Sequence, residues 1–216
     1  MPQSWLNENG NHFIYVGDAM CSWCHGFAPA LTKLTERFPE IPLHLVMGGL
    51  RPYGSEKIAD MHDFLKHHWE EVHTRSGQPF SYGILSDSEF IYDTEPASRA
   101  TVVVRKMAPE KEFEFFKDLQ LAFYRDNHRT DKIETYLNIC DRYDLDKKEF
   151  QRLFKSEEMR NETRQDFQLA QEMGIKGFPS MVFKKGGQFF LISNGYQEAE
   201  SLIQTINKIL AEEKGG

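Results

Sequence analysis

Three cysteines in 216 residues are too few to staple a fold together. Stability must come from an apolar core, and any chemistry at these cysteines must come from where they sit. Long apolar runs are also missing, since none approaches the ~18 residues a helix needs to span a bilayer. A basic excess is absent: 26 Lys and Arg face 33 Asp and Glu, for a net charge of −7. Nucleic acid and anionic membranes attract basic surfaces, so neither is expected as a partner. The first ten residues show neither a basic region nor an apolar core, so no secretory leader is read there and a cytoplasmic location is expected. There is no internal repeat and no low-complexity tract. The 40% hydrophobic and 27% charged residues that remain suit a folded, soluble chain of one or two domains.

The apolar pattern divides the chain into three stretches. His12 to Val16 is a short apolar and aromatic run, which reads as a buried strand. Trp23, Phe27, Leu31, Leu34 and Phe38 then recur at helical steps, with Pro29 inside the helix and expected to kink it. Ile41 to Met47 is a second strand, closed by Gly48 and Gly49. From Ser55 onward the pattern is helical, with helices expected over 55–74, 94–107, 110–127, 131–143 and 146–155 and with Thr94 as a cap ahead of Pro96. After a helix over 157–173, stopped by Gly174, Met181–Phe183 and Phe189–Ile192 flank Gly186–Gly187 as a β-hairpin. A last helix over 197–210 closes the chain. A β-α-β half and an α-β-β-α half, separated by helices, make one α/β domain (1–49 with 157–216) carrying an inserted all-helical domain (50–156).

Cys21-Ser22-Trp23-Cys24 opens the first helix directly after the first strand. This spacing sets Cys21 at the exposed tip and Cys24 one turn inside, within disulfide reach. Free first-turn N–H groups and the helix dipole favour a thiolate at Cys21. Such a thiolate attacks a disulfide to give a mixed disulfide, which Cys24 resolves. Two other readings stand beside this one. Half of a zinc site is one, although a tetrahedral site wants four ligands and Cys140 is the sole further cysteine. Attachment of a c-type haem through Cys21-x-x-Cys24-His25 is the other. Asp18, three residues ahead of Cys21, is read either as a proton carrier for Cys24 or as a loop residue bonding only backbone. Phe178-Pro179 stands directly before a strand, where proline removes a ladder donor and favours an edge or a cis turn.

Three features coincide: Asp18-x-x-Cys21-Ser22-Trp23-Cys24 after a strand, a helical middle, and Gly177-Phe178-Pro179 before a hairpin. Together they resemble the DsbA-like thioredoxin-fold family of disulfide oxidoreductases and isomerases, and within it the cytoplasmic, FrnE-like branch. Gly48-Gly49-Leu50-Arg51-Pro52, Asp93 to Ala100 and Ala122-Phe123-Tyr124 look like weaker signatures of that branch. The resemblance implies a thioredoxin fold, a nucleophilic Cys21, a resolving Cys24 and a cis Pro179. Ser22, Trp23, His25 and Phe178 are expected to bind substrate or tune the dithiol. Founding members of the family carry a histidine between the cysteines. Here that pair is Ser22-Trp23 and His25 follows, so a strongly oxidising potential is not expected. Relatives that use glutathione as a cofactor often lack both cysteines. This chain keeps them, which favours dithiol chemistry with no cofactor and no metal. The implied partners are protein or peptide thiols and disulfides, with glutathione or thioredoxin as redox partner.

Other features read as structural. Cys140 lies on a helical face with Ile133, Tyr136 and Leu137 and is expected to be buried and inert. His62, His67, His68 and His73 do not repeat the i, i+4 spacing of metal-binding helices. The reading is a thiol–disulfide oxidoreductase or isomerase. Its alternative is a redox-silent chaperone or peptide-binding module, motivated by 17 phenylalanines and the helical block.

Overall fold

The computed structural model describes residues 4–211, so the outer ends of the expected α/β domain, 1–3 and 212–216, lie outside the described residues. The first unit is β1 (Asn11–Gly17), α1 (Ser22–Arg37) and β2 (Leu43–Met47). Five helices follow: α2 (His62–Ser76), α3 (Glu95–Met107), α4 (Glu112–Tyr124), α5 (Ile133–Arg142) and α6 (Lys147–Phe154). The chain then returns through α7 (Glu157–Glu172), β3 (Ser180–Lys185), β4 (Gln188–Asn194) and α8 (Ala199–Ala211). The four strands form one sheet in the order β2-β1-β3-β4. β1 runs parallel to β2 and antiparallel to β3, and β3 pairs antiparallel with β4. This is a thioredoxin fold with a helical insertion between β2 and β3.

Both sheet faces are covered, which is why β1 reads as an unbroken apolar run. Phe13, Tyr15, Met181 and Phe183 point to one side and share a core with Phe27, Leu31 and Leu34 of α1 and Leu202 and Ile206 of α8. The same core continues into the insertion through Trp69, Phe116, Phe123 and Tyr124. Ile14, Val16, Val46 and Val182 point to the other side, under Trp5 and under Leu169 and Ala170 of α7.

Local expectations were corrected in three places. β2 begins at Leu43 rather than Ile41, because Pro42 has no N–H for the ladder, although its carbonyl accepts from Phe13 N at 2.8 Å. Residues 58–61 form a 3₁₀ turn before α2, and Gly77, at φ +71°, ends that helix. Thr94 does not cap α3 with its side chain. Its Oγ1 accepts from Arg51 N at 3.1 Å, while Asp93 Oδ1 takes the Glu95 N–H at 2.9 Å. Pro29 sits inside an unbroken α1, and Gly174 adopts the positive φ, +72°, of a helix C′ residue.

Insertion and sheet are tied by charge as well as by apolar contact. Arg105 of α3 donates to both carboxylate oxygens of Asp166 on α7, at 3.0 and 2.8 Å, and to Leu45 O at 2.8 Å. Its Nε donates to Glu112 at 2.7 Å. Asp166 also accepts the Met47 N–H at 2.9 Å, so it holds the end of β2. Removing one member of a buried charge cluster leaves the others uncompensated. Asp166→Ala should therefore cost about 3–5 kcal/mol, read as a lower urea midpoint at unchanged slope.

Candidate active site

The β1–β3 register builds the site. Val16 pairs with Ser180, which sets residues 178–179 beside the turn from β1 into α1. Cys21 is the N-cap of α1, at φ −92° and ψ 116°, and makes no side-chain cap. Its carbonyl accepts the His25 N–H at 3.0 Å, so the helix begins there. First-turn N–H groups find no partner within a helix and leave a positive end beside the sulfur. The Phe178–Pro179 peptide is cis, and the Cys21 thiol donates to Phe178 O at 3.7 Å. Both cysteines are free thiols. Cys21 keeps 5% of its surface exposed and Cys24 none, so an incoming partner meets Cys21 first.

The surroundings of Cys24 are dry. Burial raises its pKa well above the ordinary thiol value, and the adjacent Cys21 sulfur pushes the same way. The Tyr15 hydroxyl and the Asp18 backbone, both hydrogen bonded to Cys24, pull it down. Asp18 is fully buried. Its Oδ1 accepts from Met20 N and its Oδ2 from Leu50 N, both at 2.8 Å. Burial raises its pKa against those bonds. The carboxylate thus joins the α1 entry to the loop after β2.

The other predicted residues separate. Ser22 is buried in the first turn. Trp23 is half-buried, edge-on to His68 at 5.9 Å and tilted against Tyr196 at 5.6 Å. With Phe178, Tyr196, Gly195 and the α2 residues Glu71, Thr74 and Arg75 it lines a cleft of about 810 Å³ beside the dithiol. His25 turns away into the insertion. Its ring stacks on Tyr124 at 4.9 Å and meets Pro79 O at 3.1 Å. Burial lowers its pKa to about 4. Cys140 lies far back on α5, and burial pushes its thiol up to about 12. Of the α2 histidines, His62 meets Asp63, His68 meets Trp23, and His73 meets the Gln78 carbonyl.

Sequence reasoning assigned no site role to three buried tyrosines near the sulfurs. Burial raises the pKa of Tyr15, Tyr92 and Tyr124 most; Cys24 adds to it at Tyr15, Asp18 and then Cys21 at Tyr92, and Tyr92 and then Cys21 at Tyr124. Tyr92 donates to Met20 O at 2.7 Å, which braces the turn before Cys21. Gly48 was read as a strand stop and as part of the Gly48-Gly49-Leu50-Arg51-Pro52 signature, with no packing role. A Cβ there would overlap the Phe178 ring, so glycine is what lets that ring cover the end of β2.

A sheet flanked by helices, a helix-capping C-x-x-C dithiol and a cis-proline loop over it define a thioredoxin-fold protein of the disulfide oxidoreductase kind. The sequence matches the DSBA-like thioredoxin domain over residues 14–207, and the chain belongs to that family. It is similar in structure to a "putative protein disulfide isomerase" from Nitrosomonas europaea, at 31% identity and a TM-score of 0.85, covering 96% of this chain and 100% of that one. The cytosolic disulfide reductase DsbM from Pseudomonas aeruginosa shares the fold at 18% identity and a TM-score of 0.79, covering 93% and 99%. DsbM with GSH aligns at 20% identity and a TM-score of 0.73, covering 92% and 98%. No curated protein matches the chain. Among the described residues, no helix is long and apolar enough to cross a membrane.

Two outcomes are expected. Gly48→Ala should lower stability by about 1–3 kcal/mol through overpacking, and the double variant with Phe178→Ala should recover part of that loss in urea melts. Neutral His25 resists protonation in the fold until about pH 4, whereas the unfolded residue takes a proton near 6.5. Its share of stability is therefore complete above pH 6.5 and lost as pH falls toward 4, by roughly 3 kcal/mol. His44, also lowered to about 4 by burial, adds to the same trend. His25→Phe should flatten the dependence of unfolding free energy on pH across that window.

Proposed function

We propose that the chain exchanges disulfides with protein or peptide clients through Cys21 and Cys24. The observation that carries this reading is Cys21 at the N-cap of α1, facing the Phe178 carbonyl, with Cys24 buried one turn deeper. The Cys21 thiolate attacks a client disulfide. One client sulfur leaves as a thiolate and takes up a proton, and the other stays bonded to Cys21. Cys24 gives up its proton and attacks the Cys21 sulfur, which releases the second client thiol and leaves a Cys21–Cys24 disulfide. Two electrons and two protons from a dithiol protein or from two glutathione molecules restore the pair. If instead the first client thiol attacks another disulfide of the same client, and the thiol so freed attacks the mixed disulfide and expels Cys21 as a thiolate, no net electrons pass and the result is isomerisation.

The cleft formed by Trp23, Phe178 and Tyr196 is suited to extended peptide, offering apolar rings beside the loop that carries Pro179. Asp18 serves here by fixing the turn that presents Cys21, and Ser22 by closing the first helical turn. DsbM, a cytosolic reductase with a GSH complex, supports glutathione as reductant and the cytoplasm as setting.

Insulin reduction and scrambled-ribonuclease refolding test the reading. With glutathione as reductant, wild-type protein should turn over in at least one assay and Cys21→Ser in neither. Cys24→Ser should accumulate a client mixed disulfide detectable by non-reducing electrophoresis. Activity that persists in Cys21→Ser would remove the assignment.

A further inference from the structure

The residue reaching Cys24 from the sheet is a tyrosine. Tyr15 lies on β1, and its ring leans along the strand over Gly17. A Cβ on Gly17 would sit 2.6 Å from Tyr15 Cε1 and 2.8 Å from its hydroxyl oxygen, so only glycine leaves room for this pose. Phe27, one turn beyond Cys24 on α1, stacks on the ring at 5.8 Å and 4°, and Phe116 closes its other side edge-on at 6.0 Å. A ring clamped this way holds its hydroxyl in one place, beside the Cys24 thiol. Asp18 has both carboxylate oxygens engaged by the Met20 and Leu50 N–H groups and meets Cys24 through its backbone.

We propose that Tyr15 is the hydrogen-bond donor that promotes resolution, its O–H pointing at the Cys24 sulfur as that sulfur attacks the mixed disulfide. The inference rests on the dithiol reading above. In that step the S–H bond of Cys24 breaks, the Cys24–Cys21 bond forms, and the client sulfur departs with the electron pair and takes up the proton. Tyr15 keeps its own proton throughout; it stabilises the negative charge on sulfur before the new bond forms. Burial holds the tyrosine's pKa well above the ordinary value, which suits a donor and not a base. The titratable groups facing Cys24 are Cys21 on α1, Asp18 in the entry turn, Tyr15 on β1 and Tyr124 on α4, with Tyr92 beyond them. A hydrogen bond to a charged partner is among the stronger kinds, and Tyr15→Phe, which removes the hydroxyl and keeps the ring in the core, isolates it.

The test is a single-turnover measurement on full-length Tyr15→Phe. Cys21 is loaded with glutathione disulfide, and the rate at which Cys24 expels glutathione is followed against pH. Resolution should slow about tenfold and its pH profile should move to higher pH, while mixed-disulfide formation stays near the wild-type rate. Unchanged resolution with an unchanged profile would overturn the role of Tyr15. If wild-type protein forms no mixed disulfide at all, the dithiol reading itself fails, which is a different result. Should Tyr15→Phe not fold, ultraviolet resonance Raman of the wild type still decides the matter. A tyrosine hydroxyl band that shifts between reduced and oxidised protein supports the donor, and an invariant band excludes it.

Discussion

Two segments 157 positions apart meet at one sulfur because β1 and β3 pair antiparallel in the register that sets Val16 against Ser180. That register is pinned on both faces. Phe13 meets Phe183 at 5.5 Å on one side, while Ile14 and Val182 are buried together on the other. A slip of one residue would turn every side chain of one strand to the opposite face. Phe178 would then lose its seat over Gly48, and its carbonyl would no longer face Cys21. The chemistry of the dithiol therefore depends on core packing some distance from it.

The two sulfurs occupy opposite electrostatic settings within one helical turn. Cys21 sits at the positive end of α1 and keeps a small part of its surface exposed. Cys24 sits in a layer of aromatic rings where an unaided charge is disfavoured. What helps it there comes from β1 and the entry turn, through Tyr15 and the Asp18 backbone. The pair is thus asymmetric in burial and in electrostatic setting.

Much of this was legible in the chain. Gly186–Gly187 between apolar runs fixed the hairpin, and the C-x-x-C after His12–Val16 placed the dithiol at a strand-to-helix junction. Boundaries failed where one residue overrides a pattern. Pro42 trimmed β2 because it lacks a donor, and Asp93 rather than Thr94 takes the Glu95 N–H at the start of α3, since the Thr94 hydroxyl is engaged by Arg51 N. Tyr15 was hidden by its own pattern: alternation in a strand marks it as core, which it is, and says nothing of where its hydroxyl ends. His25 stands beside Cys24 in sequence yet faces Pro79 and Tyr124, because successive positions on a helix point about 100° apart. Contacts that close across 50 residues or more leave no local trace.

The cleft has two owners. Trp23, Phe178 and Tyr196 belong to the segments that also carry the sulfurs and the sheet, whereas Glu71, Thr74 and Arg75 stand on a helix of the insertion. Exchanging the exposed side chains of that helix would reshape the cleft while leaving the surroundings of the sulfurs as they are. The shape of the cleft can therefore vary independently of the setting of the sulfurs, because one wall is drawn from the inserted helices and the other from α1 and the sheet.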